Sequence, residues 1–292
     1  MNLSERNYSR QSHIIVNARY ALAKNEIDLI LTLLTEIKKE DKDFNDYVFS
    51  IKDLENKTAK KWHSKQLKDT VKGLMSKPLE IEENSNSWEI INWFSYFKYS
   101  DGVITCRFDK RLKPYLLEMK NRFVVSDLRM VLPMRSSYSK RIYLMLKEYS
   151  KIGERTMDLE DLQDILKVPK SMKRYDNFKA KVLVKSKEDI TKFTDLKVDF
   201  KEIKLGRKVS KIVFIIKKND EDLKSFIQII RDLYTNQRLT YYKDKSLKCD
   251  ENGLLYNSDD MKTLNKKEAL KAWEYLHENR EILEIFNQGL FD

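Results

Sequence analysis

The chain has 292 residues, 41% of them hydrophobic, with 57 Lys and Arg against 46 Asp and Glu and a formal net charge of +11. That length predicts two domains of ordinary size plus an extension, and the charge predicts a polyanionic partner: nucleic acid, an acidic membrane surface or an acidic protein. Cys106 and Cys249 have no CxxC companion, which argues against a disulfide framework or zinc cluster. No window approaches the roughly 18 apolar residues of a membrane span, so a cytoplasmic protein without a membrane partner is expected.

Only six Gly and four Pro leave little room for flexible linkers, so the domains are expected to be compact and mostly helical. The spacing of Ile27, Ile30, Leu31, Leu34 and Ile37 predicts an amphipathic helix over Lys24 to Lys39. An extended run, Tyr47 to Phe49, leads into Ser50-Ile-Lys-Asp53, an N-cap with an acidic residue in the first turn. A second helix is predicted from His63 to Ser76, with Leu67, Val71, Leu74 and Met75 on one face and Pro78 beyond its end. Two β-like runs follow, Trp88 to Tyr99 and Val103 to Phe108, joined by the turn Ser100-Asp101-Gly102. Helix, turn, helix and hairpin together predict a winged helix. The block Phe108 to Arg122, containing Lys113-Pro114-Tyr115, reads as a connecting helix.

The same order recurs 108 positions later. A helix is predicted from Ser137 to Tyr149 with Ile142, Met145, Leu146 and Tyr149 on its apolar face, and Met157-Asp158-Leu-Glu-Asp161-Leu162 echoes Phe49-Ser50-Ile-Lys-Asp53-Leu54. A longer helix from Arg174 to Lys192 follows, then strands Asp195 to Lys204 and Val209 to Lys217 joined through Leu205-Gly206-Arg207-Lys208. The expected fold is therefore α+β, mostly helical: tandem winged helices over 1–122 and 123–218, with a small extension over 219–292. Leu223, Phe226, Ile227, Ile230, Leu233 and Tyr234 predict one helix in that extension, and Ala269, Trp273, Leu276, Ile282, Leu283 and Phe286 another region of helical spacing.

Residues 170–218 hold 16 Lys and Arg against 6 Asp and Glu, so the basic surface belongs to the second winged helix. On a straight helical wheel Phe178, Val182, Leu183 and Ile190 point inward, while Arg174, Lys181 and Lys185 lie within about 40° of one another, flanked by Asn177. A helix of this kind fits the major groove, where Arg and Lys donate to guanine and Asn pairs with adenine. Arg207 and Lys208 at the wing tip would reach phosphate or the minor groove. In the first half Lys65, Lys68 and Lys72, with Lys60 and Lys61 nearby, are accessory phosphate contacts or a solvated face. The aromatic run Trp88, Trp93, Phe94, Tyr96 and Phe97 is expected to serve core and dimer packing, not base stacking.

Ala23-Lys24-Asn25-Glu26, Phe108-Asp-Lys-Arg-Leu-Lys-Pro-Tyr-Leu116 with Phe123, Tyr138-Ser-Lys-Arg-Ile-Tyr-Leu-Met-Leu-Lys-Glu-Tyr149, Tyr175-Asp-Asn-Phe-Lys179 and Gly206-Arg-Lys-Val-Ser-Lys-Ile-Val-Phe214 occur in that order between Asn17 and Lys217. In these stretches the chain resembles the initiator proteins of iteron-containing, theta-replicating plasmids. The resemblance implies two winged helices on directly repeated origin DNA, the second reading the major groove, with Arg174, Lys179 and Lys181 at basic positions of its recognition helix. The straight wheel places Lys179 nearer the buried face. The resemblance also implies a monomer that opens the origin, in equilibrium with a homodimer, joined through the first domain, that represses its own gene at an operator. It implies host partners too: the chromosomal initiator ATPase and the replicative helicase. The extension goes beyond where many such initiators stop and reads either as a protein-contact module or as packing on the second domain.

No enzymatic role or cofactor is expected. His13, His63 and His277 are too scattered for the metal cluster of a rolling-circle nicking initiator, and no GxxxxGK[ST] loop is present. Asp158, Glu160 and Asp161 suit a helix start better than a metal. A winged-helix transcriptional regulator remains the alternative on residues alone.

Overall fold

A computed structural model of the protein describes residues 8–38, 41–84, 86–118, 123–219, 238–242, 245–249, 255–257 and 259–278. These divide between two compact units, one spanning Ser9–Lys218 and the other containing the C-terminal extension. The first half of the chain runs β1 (Tyr8–Ser12), α1 (His13–Asn17), α2 (Lys24–Leu34), β2 (Tyr47–Ser50), α3 (Ile51–Thr58), α4 (Ser64–Met75), β3 (Leu79–Asn84), β4 (Ser87–Ile91), β5 (Phe94–Ser100), β6 (Val103–Phe108) and α5 (Lys113–Leu116). The second runs β7 (Phe123–Asp127), α6 (Leu128–Val131), α7 (Ser137–Lys147), β8 (Glu154–Asp158), α8 (Leu159–Ile165), α9 (Lys170–Lys173), α10 (Tyr175–Phe178), a π-helical turn (Lys179–Val184), α11 (Lys185–Phe193), β9 (Leu196–Leu205) and β10 (Lys208–Lys218).

The internal repeat is plain in the sheets. In each half the strand that leads into the helix-turn-helix, β2 before α3 and β8 before α8, pairs with the second wing strand, giving the orders β2-β6-β5 and β8-β10-β9. All pairings in the two sheets are antiparallel. Ser50 caps α3 by accepting from the Asp53 amide at 3.0 Å, and the Asp53 carboxylate accepts from the Ser50 amide at 3.3 Å, a reciprocal capping box. Ser100 pairs directly with Val103, and both turn residues between them have positive φ, 50° at Asp101 and 81° at Gly102. That is the Asp-Gly pattern of a type I′ hairpin.

Several sequence expectations need correction. Helix α2 stops at Leu34, short of Lys39, because the Thr35 and Glu36 amides turn to carbonyls three residues back, tightening the last turn. The run Trp88 to Tyr99 is two strands: β4 folds back on β3, which the sequence reading missed, and β5 pairs with β6. The connecting helix over Phe108 to Arg122 shrinks to a 3₁₀ turn, Lys110–Leu112, and the single turn α5, with 119–122 outside the described residues. Among the aromatics, Trp93 and Phe94 are core, but Trp88 is 69% and Tyr96 45% exposed.

One continuous hydrophobic core runs from Ile15 to Ile216, and α7 lies within it. Every residue from Ser139 to Leu146 is buried, including Lys140 and Arg141, so α7 is enclosed on all sides and not amphipathic as its spacing suggested.

In the extension, β11 (Arg238–Tyr242), β12 (Lys245–Cys249) and β13 (Leu255–Asn257) form an antiparallel meander, followed by α12 (Lys266–Glu278). Trp273 and Leu276 are buried as their spacing requires, while Ala269 is half-buried and Ala272 takes the inward position; the strands were not expected. The helix anticipated from Leu223 to Tyr234, and Ile282, Leu283 and Phe286, lie outside the described residues.

The C-cap of α3 offers a stability test. Ala59 sits in the left-handed region with φ 49°, ψ 36°, where a Cβ costs about 1–2 kcal/mol. Ala59→Gly relieves that strain against a smaller entropic loss, so urea denaturation is expected to show a gain of about 0.5–1 kcal/mol.

Candidate nucleic-acid interface

The second winged helix presents its longest helical segment, residues 175–193, between α9 and the β9–β10 wing. Phe178, Val182, Leu183 and Ile190 are buried, as the wheel required, and anchor the segment on the core. The wheel fails elsewhere for two reasons. Arg174 has extended backbone angles, φ −61° and ψ 130°, and is the N-cap, outside the helix. The π-helical turn Lys179–Val184 then changes the number of residues per turn, so positions on either side keep no common phase. Lys179 consequently faces solvent, contrary to its place on the straight wheel.

The cations of this helix differ in what they hold. Arg174, 79% exposed, reaches the Asp176 carboxylate at 3.1 Å. Asn177 donates its side-chain amide to the Ser171 carbonyl at 3.1 Å, tying α9 to the helix. Lys179 crosses to Glu202 on β9 at 2.7 Å, Lys185 bonds the buried Asp189 at 2.9 Å, and Lys187 bonds Asp199 at 2.7 Å. The Lys179 ammonium lowers the pKa of Glu202, Lys187 lowers that of Asp199, and the Asp189 hydrogen bond raises that of Lys185. Lys181 is exposed and, among the described residues, has no carboxylate within ion-pair reach. Val184, Lys187 and Glu188 of the helix face Asp199, Phe200 and Lys201 of β9 across a groove of 590 Å³.

At the wing tip Leu205 pairs with Lys208, leaving Gly206 and Arg207 as the two-residue turn, with Gly206 at φ 63°. Positive φ at the first central position suits glycine in a II′-type turn. Arg207 and Lys208 are exposed, joined by Lys201 and Lys204, which sequence reasoning did not single out. Strand alternation placed Lys201 on the outward face and was the available signal. The tip also carries Leu205, 80% exposed.

In the first winged helix, α4 carries Lys65, Lys68 and Lys72 on one exposed stripe at i, i+3 and i+7, without an ion-pair partner among the described residues. Lys60 and Lys61 do not join them: Lys60 lies 3.7 Å above the Trp62 ring and bonds Asn25, and Lys61 pairs with Glu55 at 2.9 Å. Among the described residues no group of three or more His, Cys, Asp or Glu is placed to hold a metal ion, and no helix is long and apolar enough to cross a membrane.

Residues 8–147 match the family described as "Initiator Replication protein, WH1", and residues 158–216 match "Initiator Rep protein, WH2". The chain belongs to this initiator replication protein family. The first match contains the sheet β2-β6-β5 and continues through α7, and the second runs from the end of β8 to β10 of the sheet β8-β10-β9. A curated Replication initiation protein of Escherichia coli is 26% identical over 170 residues, 56% of this chain. The chain spans about half of that relative's length, 51%. The crystal structure of Pi initiator protein in complex with iteron DNA is similar in fold, with TM-score 0.59 and 19% identity over 73% of this chain and 97% of that one. Domains 2 and 3 of RctB superpose more loosely, with TM-score 0.44 and 13% identity over 73% of this chain and 91% of theirs.

Proposed function

We propose that this initiator-family protein starts plasmid replication by binding directly repeated origin sequences in duplex DNA, with the second winged helix as the principal reader. The observation that carries the reading is the exposed cationic surface formed by the segment 175–193 and the β9–β10 wing. A helix of this kind enters the major groove and the wing follows the backbone. The fold shared with an initiator solved on iteron DNA supports the same substrate. Lys179, Lys181 and Lys185, with Asn177, are assigned to the reading helix and Arg174 to its N-cap, Arg207 and Lys208 to the wing contact, and Lys65, Lys68 and Lys72 to phosphate contacts of the first domain.

Origin opening by the monomer follows from strain: copies arrayed on repeats deform an adjacent AT-rich segment, where flexible steps melt cheaply. The protein then needs no covalent chemistry of its own, and recruitment of the host initiator ATPase and replicative helicase completes the step in the cytoplasm. A dimer formed through the first domain represses the protein's gene; Trp88 and Ile90, 69% and 55% exposed on β4, are suited to meeting a second copy.

Lys181→Ala is expected to weaken binding to the origin repeats by about 1–3 kcal/mol and relax base preference, whereas Lys68→Ala is expected to weaken all duplexes alike. Fluorescence anisotropy over a salt series, with repeats and shuffled controls, checks both. Stepwise tight binding to direct repeats supports an initiator; preference for a lone inverted repeat points to a transcriptional regulator; equal, steeply salt-sensitive binding to both duplexes sinks the sequence-specific reading.

A further inference from the structure

The helix that carries the candidate base contacts is electrostatically occupied in the free protein. Arg174, Lys179, Lys185 and Lys187 each hold a carboxylate of the same domain. The α4 stripe of the first domain, by contrast, has none among the described residues. Two of these partners are not helix neighbours. Glu202 and Asp199 reach across from β9, from the far wall of the groove, and take Lys179 and Lys187 at 2.7 Å each. The Glu202 and Lys179 side chains are 22% and 45% exposed, against 79% and 75% in the Arg174–Asp176 pair, so salt screens the first pair less than the second.

A carboxylate on a lysine occupies the position that a DNA phosphate would take. Both are anions accepting charge-assisted hydrogen bonds from the same ammonium. The Lys179 ammonium has three donors, so a phosphate that contacts it competes with Glu202 and leaves that carboxylate beside the incoming polyanion. A random duplex is held by phosphate contacts alone and meets this repulsion in full, whereas a cognate site, held also by base contacts along the helix, can leave the Lys179–Glu202 pair in place. We propose that Glu202 is a specificity-determining residue, an intramolecular competitor of phosphate that suppresses binding to random DNA more than binding to the origin repeats. Asp199 on Lys187 acts in the same sense. The device is repulsive discrimination: it penalises the phosphate-only complex with random DNA more than the base-reading complex, and so raises the ratio between right and wrong sites. The inference rests on the DNA-reading role of the second winged helix.

The test uses the full chain, anisotropy over a salt series, and the repeat and shuffled duplexes. Glu202→Gln keeps the side chain's size, and its melting temperature verifies the fold. It is expected to tighten the shuffled duplex about tenfold and the repeats about threefold or less, with the salt exponent on the shuffled duplex steeper by about one ion. Lys179→Met should abolish that gain, since the competitor then has nothing to occupy. Glu160→Gln, an exposed carboxylate of α8 without a helix cation, should leave the ratio unchanged. Equal gains on both duplexes, an equal effect of Glu160→Gln, or a gain that persists beside Lys179→Met would overturn the proposal. Failure of the wild-type chain to distinguish the duplexes would remove the DNA-reading role itself, a result visible without any variant.

Discussion

Lys140→Met is expected to lower the unfolding free energy by about 3 kcal/mol, while Asp28→Leu combined with Lys140→Met recovers most of the loss. The Lys140 side chain is fully buried on α7, paired with Asp28 of α2 and donating to the Leu132 carbonyl at 3.0 Å. Removing the ammonium strands a carboxylate that is itself 2% exposed, leaving it only Lys24, at 2.6 Å and partly in solvent. Removing both charges substitutes packing for a desolvated pair, which is often neutral or stabilising. Urea denaturation of the two single variants and the double variant gives the coupling directly. Near-equal stability of Lys140→Met and wild type would show that the pair contributes no net stability.

The same residue sets a pH dependence. Burial lowers the Lys140 pKa from 10.5 to about 8, against the opposing pull of Asp28. Between those values the unfolded chain binds more protons than the folded one, so this group's contribution to stability rises with pH from about 8 towards 10.5. The rise should be absent in Lys140→Met when denaturation midpoints are compared across that window.

Arg141→Leu is expected to cost as much, about 3–5 kcal/mol, lowering Tm by about 10 °C for a unit of this size. Its guanidinium donates to the backbone carbonyls of Ala18 at 2.7 Å, Tyr20 at 2.8 Å and Val16 at 3.4 Å. It also stacks 3.4 Å from the Tyr20 ring, which meets Trp93 edge-on at 5.2 Å. The Ala18 and Tyr20 carbonyls belong to the irregular segment between α1 and α2, and the Val16 carbonyl to the last turn of α1, where helix carbonyls lack an intrahelical donor. Loss of the fork leaves three buried acceptors unpaired, each costing about 1–3 kcal/mol less whatever local relaxation recovers. Arg141→Lys should restore under half of the loss, because an ammonium is a compact donor and cannot span the fork. Differential scanning calorimetry of the two variants tests this; full recovery in Arg141→Lys would show that charge, not geometry, holds the segment.

Lys140 and Arg141 mark where sequence reasoning reached its limit. In the string Ser-Lys-Arg-Ile-Tyr-Leu-Met-Leu they read as the polar side of an amphipathic helix, and periodicity alone had no reason to bury them. Their burial follows from packing: both halves of Ser9–Lys218 close on α7, and apart from the Leu132 carbonyl their acceptors lie more than 100 residues away in the chain. The π-helical turn was equally invisible. A wheel assumes one pitch, and Lys179 moved from the buried side to solvent when that pitch changed.

What the sequence by itself determined was local: the cap at Ser50, the Asp101-Gly102 turn, the inward stripe of Phe178, Val182, Leu183 and Ile190, and through their repeated order the two winged helices. These signals act over a few residues, where spacing and backbone preference suffice. Tertiary structure decided that Lys179 and Lys187 hold carboxylates, because Glu202 and Asp199 meet them only when β9 packs beside the helix, whereas the Arg174–Asp176 and Lys185–Asp189 pairs are local in sequence. Net charge counts side chains, but the field that DNA would meet depends on which charges the fold has already brought together.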